Sequence, residues 1–161
     1  MSVQGMPPFG YQPETIEFEV TNRTGVPTVK DDVYQLALDQ ADGDVSNNNV
    51  GSVNSGWSNI IASVAAAAGQ GQVCVVASAA VANDARLMVT IRGQRLVTVD
   101  GTTDVVSGDA LETDASAALI RVTNATGFPC AIALAARTAN SQASVLCYFD
   151  GLAGAFNAEV S

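Results

Sequence analysis

RLMVTIRGQRLVTVDGTTDVVSGDALETD, residues Arg86 to Asp114, is the stretch whose reading decides the fold. Leu87, Val89 and Ile91 alternate with Met88, Thr90 and Arg92, and beyond Gly93 Val97 and Val99 alternate with Leu96 and Thr98. A period of two is the signature of strands with one buried face, so the sequence predicts two strands reversing at Gly93-Gln94. Asp100-Gly101 and Ser107-Gly108-Asp109 then supply residues that tolerate positive φ. Gly93, Gly101, Gly108 and Asp109 are accordingly the expected turn-forming positions of a compact antiparallel β unit.

Outward from this stretch the alternation continues. Ile16, Phe18 and Val20 oppose Glu17, Glu19 and Thr21, which predicts a strand with one wet, acidic face over Glu14 to Thr21. Val33 to Leu38, Gln72 to Ser78, Ala117 to Thr123, Ala131 to Arg137 and Ala143 to Phe149 are further expected strands, separated by turns such as Asn22 to Pro27 and Asn83-Asp84. In the last run Val145, Cys147 and Phe149 share one face while Leu146 and Tyr148 share the other. Both faces are apolar, which suits the middle of a sheet or an interface. Tyr148 and Phe149 are therefore candidates for either the core or an oligomer interface. One segment departs from strand spacing: Trp57, Ile60, Ile61, Val64 and Ala68 recur at helical intervals between a capping Ser55 and a stop at Gly69, predicting a helix. Trp57 fits core and contact equally.

The flanks differ in kind. Met1 to Pro13 carries Pro7, Pro8 and Pro13 with Phe9 and Tyr11, a composition that favours an extended course over helix or inner strand. It reads as an arm, either a frayed terminus or a segment that orders against a neighbour through Phe9, Tyr11 and Pro13. Residues 14–150 form the expected single β domain, and 151–161 a small, Gly/Ala-rich extended tail. A chain of 161 residues has room for one core of this kind.

Composition removes several classes of function. Seven basic against sixteen acidic residues give a net charge of -9, the wrong sign for a phosphate backbone, so nucleic acid is not an expected partner. No apolar run reaches membrane-spanning length, and MSVQGMPPFG lacks the basic and apolar regions of a signal peptide, which points to synthesis in a cytoplasm. There is no histidine, hence neither the commonest general base nor the commonest metal ligand. Lys30 is the single lysine and has no nucleophile motif near it, and Gly69-Gln70-Gly71 lacks the remainder of a phosphate loop. Asp39, Asp42 and Asp44 around Gly43 depart from calcium-loop spacing and read as an Asp/Gly turn. Cys74, Cys130 and Cys147 lie inside apolar runs and read as buried free thiols rather than disulfides or metal ligands. The expectation is a protein without enzymatic activity, cofactor or metal. Only 14% of its residues are charged while 48% are apolar, as in subunits whose surface is covered by others.

Three segments in the second half resemble a known family. Val99-Asp-Gly-Thr-Thr-Asp-Val-Val-Ser-Gly-Asp-Ala-Leu111, Gly127-Phe-Pro-Cys-Ala-Ile-Ala-Leu-Ala-Ala-Arg137 and Val145-Leu-Cys-Tyr-Phe149 are similar to the Gly-centred turns, Ala-rich strand and final apolar strand of the capsid decoration, or cement, proteins of tailed bacteriophages. The resemblance implies a mainly β chain: a small antiparallel β-barrel or β-tulip-like domain with an extended N-terminal arm and at most one or two short helices. It also implies a homo-oligomer, a trimer by preference, that sits on the outside of an icosahedral shell and bridges major capsid proteins. Virion assembly in a host cytoplasm goes with it. The competing reading of the same features is a receptor- or glycan-binding module such as a head fibre tip or an adhesin domain.

Overall fold

The computed structural model describes residues 14–36, 60–64, 73–114, 116–122, 129–138 and 140–153. The expected arm, the Asn-rich loop with Asp39, Asp42 and Asp44, Trp57 and residues 154–161 of the tail lie outside these. Nine strands make up the described part: β1 (Ile16–Asn22), β2 (Val33–Leu36), β3 (Ile60–Val64), β4 (Cys74–Ala77), β5 (Arg86–Val99), β6 (Ala110–Thr113), β7 (Leu119–Arg121), β8 (Ala131–Ala133) and β9 (Ala143–Asp150). The fold is mainly β, as expected.

Strand pairing closes on itself. From β1 the hydrogen-bonded order runs β3, β2, β4, β5 and back to β1, a closed five-stranded barrel. From β5 a second circuit runs through β7, β6 and β8 to β9 and returns to β5. Its β5–β7 link is one parallel pair, Val99 with Leu119, whereas β5 and β9 are antiparallel in register from Arg92–Asp150 to Val99–Ala143. Strand β5 is common to both circuits.

That sharing corrects the sequence reading at Gly93. The two runs on either side of it are not a hairpin but one strand of 14 residues, whose first half pairs with β1 and β4 and whose second half pairs with β9. Gly93 lies within the strand, opposite Phe149, with φ +126. A Cβ there would stand 2.7 Å from the Thr15 backbone, so glycine lets the chain entering β1 cross close to β5. The glycine marks a bend at the junction of the circuits, and no reversal.

Each circuit has its own core. Val20, Tyr34, Leu36, Ile61, Val75, Leu87, Val89 and Ile91 fill the first. Val97, Val99, Leu111, Leu119, Val145, Cys147 and Phe149 fill the second, where they meet Val33, Cys74 and Val76. Because successive side chains of a strand point to opposite faces, β2 and β4 serve both cores: Tyr34, Leu36, Val75 and Ala77 face one, Val33, Cys74 and Val76 the other. The unbroken apolar run around Cys74 follows from this double burial.

Double burial also accounts for a second correction. The segment expected as a helix contains β3, which pairs in parallel with Thr21 and Asn22 and antiparallel with β2. Neighbouring Ile60 and Ile61 are both buried, at 5% and 0% exposure, so no face alternation marks the strand. Tertiary pairing overrides the Ala-rich local preference.

One buried polar group holds the end of the first barrel. Asn22 is fully buried at the close of β1. Its Nδ2 donates to the carbonyls of Val26 (2.8 Å) and Ala82 (3.2 Å), and its Oδ1 accepts from the backbone N–H (3.0 Å) and hydroxyl (2.7 Å) of Thr24. Two loops distant in sequence are thereby tied to one amide. Asn22→Ala strands these partners and should lower unfolding stability by about 2 kcal/mol, read as a drop in the urea midpoint.

Candidate functional site

Many of the described polar side chains are occupied in holding the fold. All three thiols are free and buried. Burial pushes Cys74 and Cys147 up to about 12 and raises Cys130 as well, so thiolate chemistry at neutral pH is suppressed. Each arginine also has an assigned place. Arg23 pairs with Asp84, Arg86 with Glu19 (3.3 Å), Arg92 with Asp150 (2.8 Å), Arg95 with Glu17 (2.9 Å) and Arg121 with Asp109 (3.2 Å). Arg137 donates to the Val99 carbonyl (3.1 Å). Among the described residues Lys30 belongs to none of these pairs and lies exposed on a turn. Among the described residues no group of three His, Cys, Asp or Glu side chains is placed to hold a metal ion.

A polar corner with positive-φ backbone lies where the two cores meet. Asp31 has φ +68 and is nearly buried, its carboxylate accepting from the Ser144 hydroxyl (3.0 Å). Next to it Asp32 accepts from the Thr98 hydroxyl (2.7 Å). Burial raises the Asp32 pKa above the usual carboxylate value; the Thr98 hydrogen bond opposes this and the neighbouring Asp31 charge adds to it. A carboxyl that binds its proton more tightly when folded costs stability while ionised, and that cost disappears as pH falls through its folded and then its unfolded pKa. Asp32→Asn should therefore raise the melting temperature at about pH 7 and leave it unchanged near pH 3, in paired thermal melts.

What remains for binding is an apolar sheet face. Along β8 and the residue after it the usual arrangement is inverted: Ala131 and Ala133 point inward, while Ile132 and Leu134 point outward at 48% and 37% exposure. The strand register extends the face. Leu146 of β9 is paired with Leu96 of β5, the Leu134 N–H donates to the Leu146 carbonyl (2.8 Å), and Ile132 is paired with Tyr148. Leu96 and Leu146 are 45% and 40% exposed. Leu96, Leu146 and Leu134 thus form one row across three strands, and Gln94, Tyr148 and Ile132 the next. Beside Ile132 and Tyr148 the face dips into a pocket of about 240 Å³ whose wall is almost wholly apolar, from Ala110, Pro129 and Ala153 among others. The Arg92–Asp150 ion pair closes one end.

The positions singled out from the sequence fall in different places. Phe149 belongs to the second core and is fully buried, whereas Tyr148, next to it, is part of the outward face. Gly108, with φ +98, and Asp109 form a turn docked on β8: the Gly108 N–H donates to the Ala133 carbonyl (2.8 Å), and Asp109 Oδ2 accepts from the Val106 N–H (2.9 Å). Gly101 lies in a bend against the backbone of Ser141, where a Cβ would stand 2.5 Å from the Ser141 carbonyl carbon. Phe9, Tyr11 and Pro13 lie outside the described residues. Ile132 and Leu134 were not singled out, although the Ala-Ile-Ala-Leu-Ala alternation over 131–135 is visible in the sequence. Periodicity shows two faces there, and nothing local says that the larger residues point away from the core.

No family model matches the chain, and no curated protein matches it. Among solved structures it is similar to the N base of the head fibre protein gp8.5 of bacteriophage phi29, with a TM-score of 0.47 and 15% identity, over 84% of this chain and 94% of that one.

Proposed function

We propose that this protein is a structural component of a virion, a decoration or cement protein that binds the outside of an icosahedral phage capsid and bridges its major capsid proteins as a homo-oligomer. The observation that carries the reading is the inverted strand β8. A chain that buries alanine and exposes isoleucine and leucine forgoes stability of its own, since burying a large aliphatic side chain is worth about 1.5–3 kcal/mol. That arrangement is favourable where the outward face is covered by a neighbour. The resemblance of 99–111, 127–137 and 145–149 to the decoration family supports the same reading, as does a surface whose arginines are committed to internal pairs. Such a protein acts by linkage: binding the assembled shell and not its loose subunits shifts the equilibrium toward the shell. Several contacts per oligomer raise the effective concentration of each further one.

Shells purified with and without the protein test this. The protein is expected to sediment with shells and to raise their melting temperature, and Ile132→Glu combined with Leu146→Glu should abolish both effects while its own melting temperature stays near that of the parent. Shells equally robust without the protein would overturn the cement role. Retention on glycan or host-surface arrays, with shells unaffected, would favour the receptor-binding alternative.

A further inference from the structure

The outward face of β5, β9 and β8 ends differently in its two directions. Beyond the row of Gln94, Tyr148 and Ile132 comes the register pair Arg92–Asp150, in which both guanidinium bonds go to Asp150 Oδ2 (3.0 and 2.8 Å). Beyond the row of Leu96, Leu146 and Leu134 comes the pair Thr98–Ser144. Thr98 lies two residues after Leu96 and Ser144 two before Leu146, so their side chains share the outward face, about 7 Å further along the strands. Both hydroxyls donate to carboxylates: Thr98 Oγ1 to Asp32 Oδ1 (2.7 Å) and Ser144 Oγ to Asp31 Oδ2 (3.0 Å). The backbone fixes the two acids there, since the Thr98 N–H donates to the Asp31 carbonyl (2.8 Å) and the Asp31 N–H to the Ala77 carbonyl (2.9 Å). The apolar rows therefore run up against two adjacent carboxylates.

Those carboxylates have hydroxyl partners and no cationic one. All seven Lys and Arg residues of the chain are among the described residues, and none of the five ion pairs includes Asp31 or Asp32. Asp31 is nearly buried and Asp32 half-buried, so the pair is withdrawn from water but still reachable from outside. Two like charges in that setting carry a cost that an external cation offsets. The raised pKa of Asp32 has the same origin in burial and in the Asp31 charge. A second copy is poorly suited to supply the cation: it carries the same net charge of -9, and the arginine of its own face, Arg92, is held by Asp150.

We propose that the surface covering this face belongs to a different protein chain, which lays aliphatic side chains along the Leu96–Leu146–Leu134 row and sets a lysine or arginine against Asp31 and Asp32. The inference rests on the reading of this face as the shell-binding surface and adds the charge of what it meets. The two parts of the contact do different work. Apolar rows supply area without direction, whereas the carboxylates at one end fix which way round the partner docks and steer its approach.

Sedimentation of the full chain with purified shells, over sodium chloride from about 50 to 500 mM, tests this. Binding of the parent protein should weaken as salt rises. Asp31→Asn with Asp32→Asn removes both charges, keeps acceptors for Ser144 and Thr98, and tolerates the positive φ at position 31. Its affinity for shells should be about tenfold lower at the low-salt end and close to that of the parent at the high-salt end. A thermal melt at about pH 7 separates lost contact from lost folding, because removing the Asp32 charge is expected to leave the variant at least as stable as the parent. Glu19→Gln with Asp84→Asn takes two charges from exposed positions of the first barrel and should keep affinity within about twofold. Parent binding that is indifferent to salt or strengthened by it overturns the proposal. So does a doubly substituted variant that binds as well as the parent, or a control that weakens binding equally, since net charge alone then governs. A parent protein that binds shells at no salt concentration overturns the shell-binding reading itself, and the inference falls with it.

Discussion

Phe149→Ala should destabilise the protein by about 3–5 kcal/mol, the range for removing a large aromatic side chain from a packed core. Phe149 is fully buried, and the strand that carries it is hydrogen-bonded on both sides, to Gly93 of β5 and to Ala131 of β8. Neither neighbour can move inward to fill the space without breaking a ladder, so the cavity persists and its full cost is felt. The second core is also rich in small residues, Ala131, Ala133, Cys130 and Cys147 among them, which leaves Phe149 its largest side chain. Urea unfolding followed by circular dichroism measures the effect. A loss under about 1 kcal/mol would mean that the second circuit repacks freely and has no rigid core of its own.

Gly151→Ala is expected to cost about 3 kcal/mol or more, for a different reason. A Cβ at this position would stand 1.8 Å from the carbonyl oxygen of Cys74. The backbone cannot simply yield, because the Gly151 N–H donates to the Ile91 carbonyl (2.8 Å) and its carbonyl accepts from the Cys74 N–H (3.0 Å). Relieving the clash sacrifices hydrogen bonds that tie the end of β9 to the start of β4, so overpacking and lost pairing add together. Gly108→Ala is the control. Gly108 has φ +98 but nothing within 4 Å of the added Cβ. Only the conformational cost remains there, about 1–2 kcal/mol. A Gly151→Ala variant no less stable than Gly108→Ala would show that contact with Cys74 does not limit the fold.

The sequence made most of this architecture legible, because most strands have one wet face. Phe18 and Val20 against Glu17 and Glu19, or Leu87 and Val89 against Arg86 and Met88, record burial directly in their alternation. Two features escaped it for opposite reasons. At Ile60–Val64 adjacent residues are both buried, so the pattern that distinguishes strand from helix is erased. At Gly93 the local signal was real, a glycine with positive φ, but its meaning depends on Thr15, which is distant in sequence. The candidate face was half legible. Leu146 and Tyr148 could be seen to oppose Cys147 and Phe149, but that the outer pair meets Leu96, Ile132 and Leu134 is a fact of register, which no single strand encodes.

Strand β5 belongs to both circuits, and this has a consequence for how the chain is made. Residues up to Val99 include every strand of the first barrel, so that barrel can close while the ribosome is still producing the remainder. When it closes, Val33, Cys74 and Val76 on its outer side are only partly covered, since of their neighbours in the second core Val97 and Val99 belong to β5 and the rest come later in the chain. The nascent barrel is thus a finished ring with an oily flank until Phe149, near the end of the last described strand, is delivered. An interrupted product would keep that flank exposed and be recognisable to proteases as incomplete. Concealment of that flank waits on β6 to β9, so the fold itself distinguishes a chain that has folded both circuits from one that has folded the first alone.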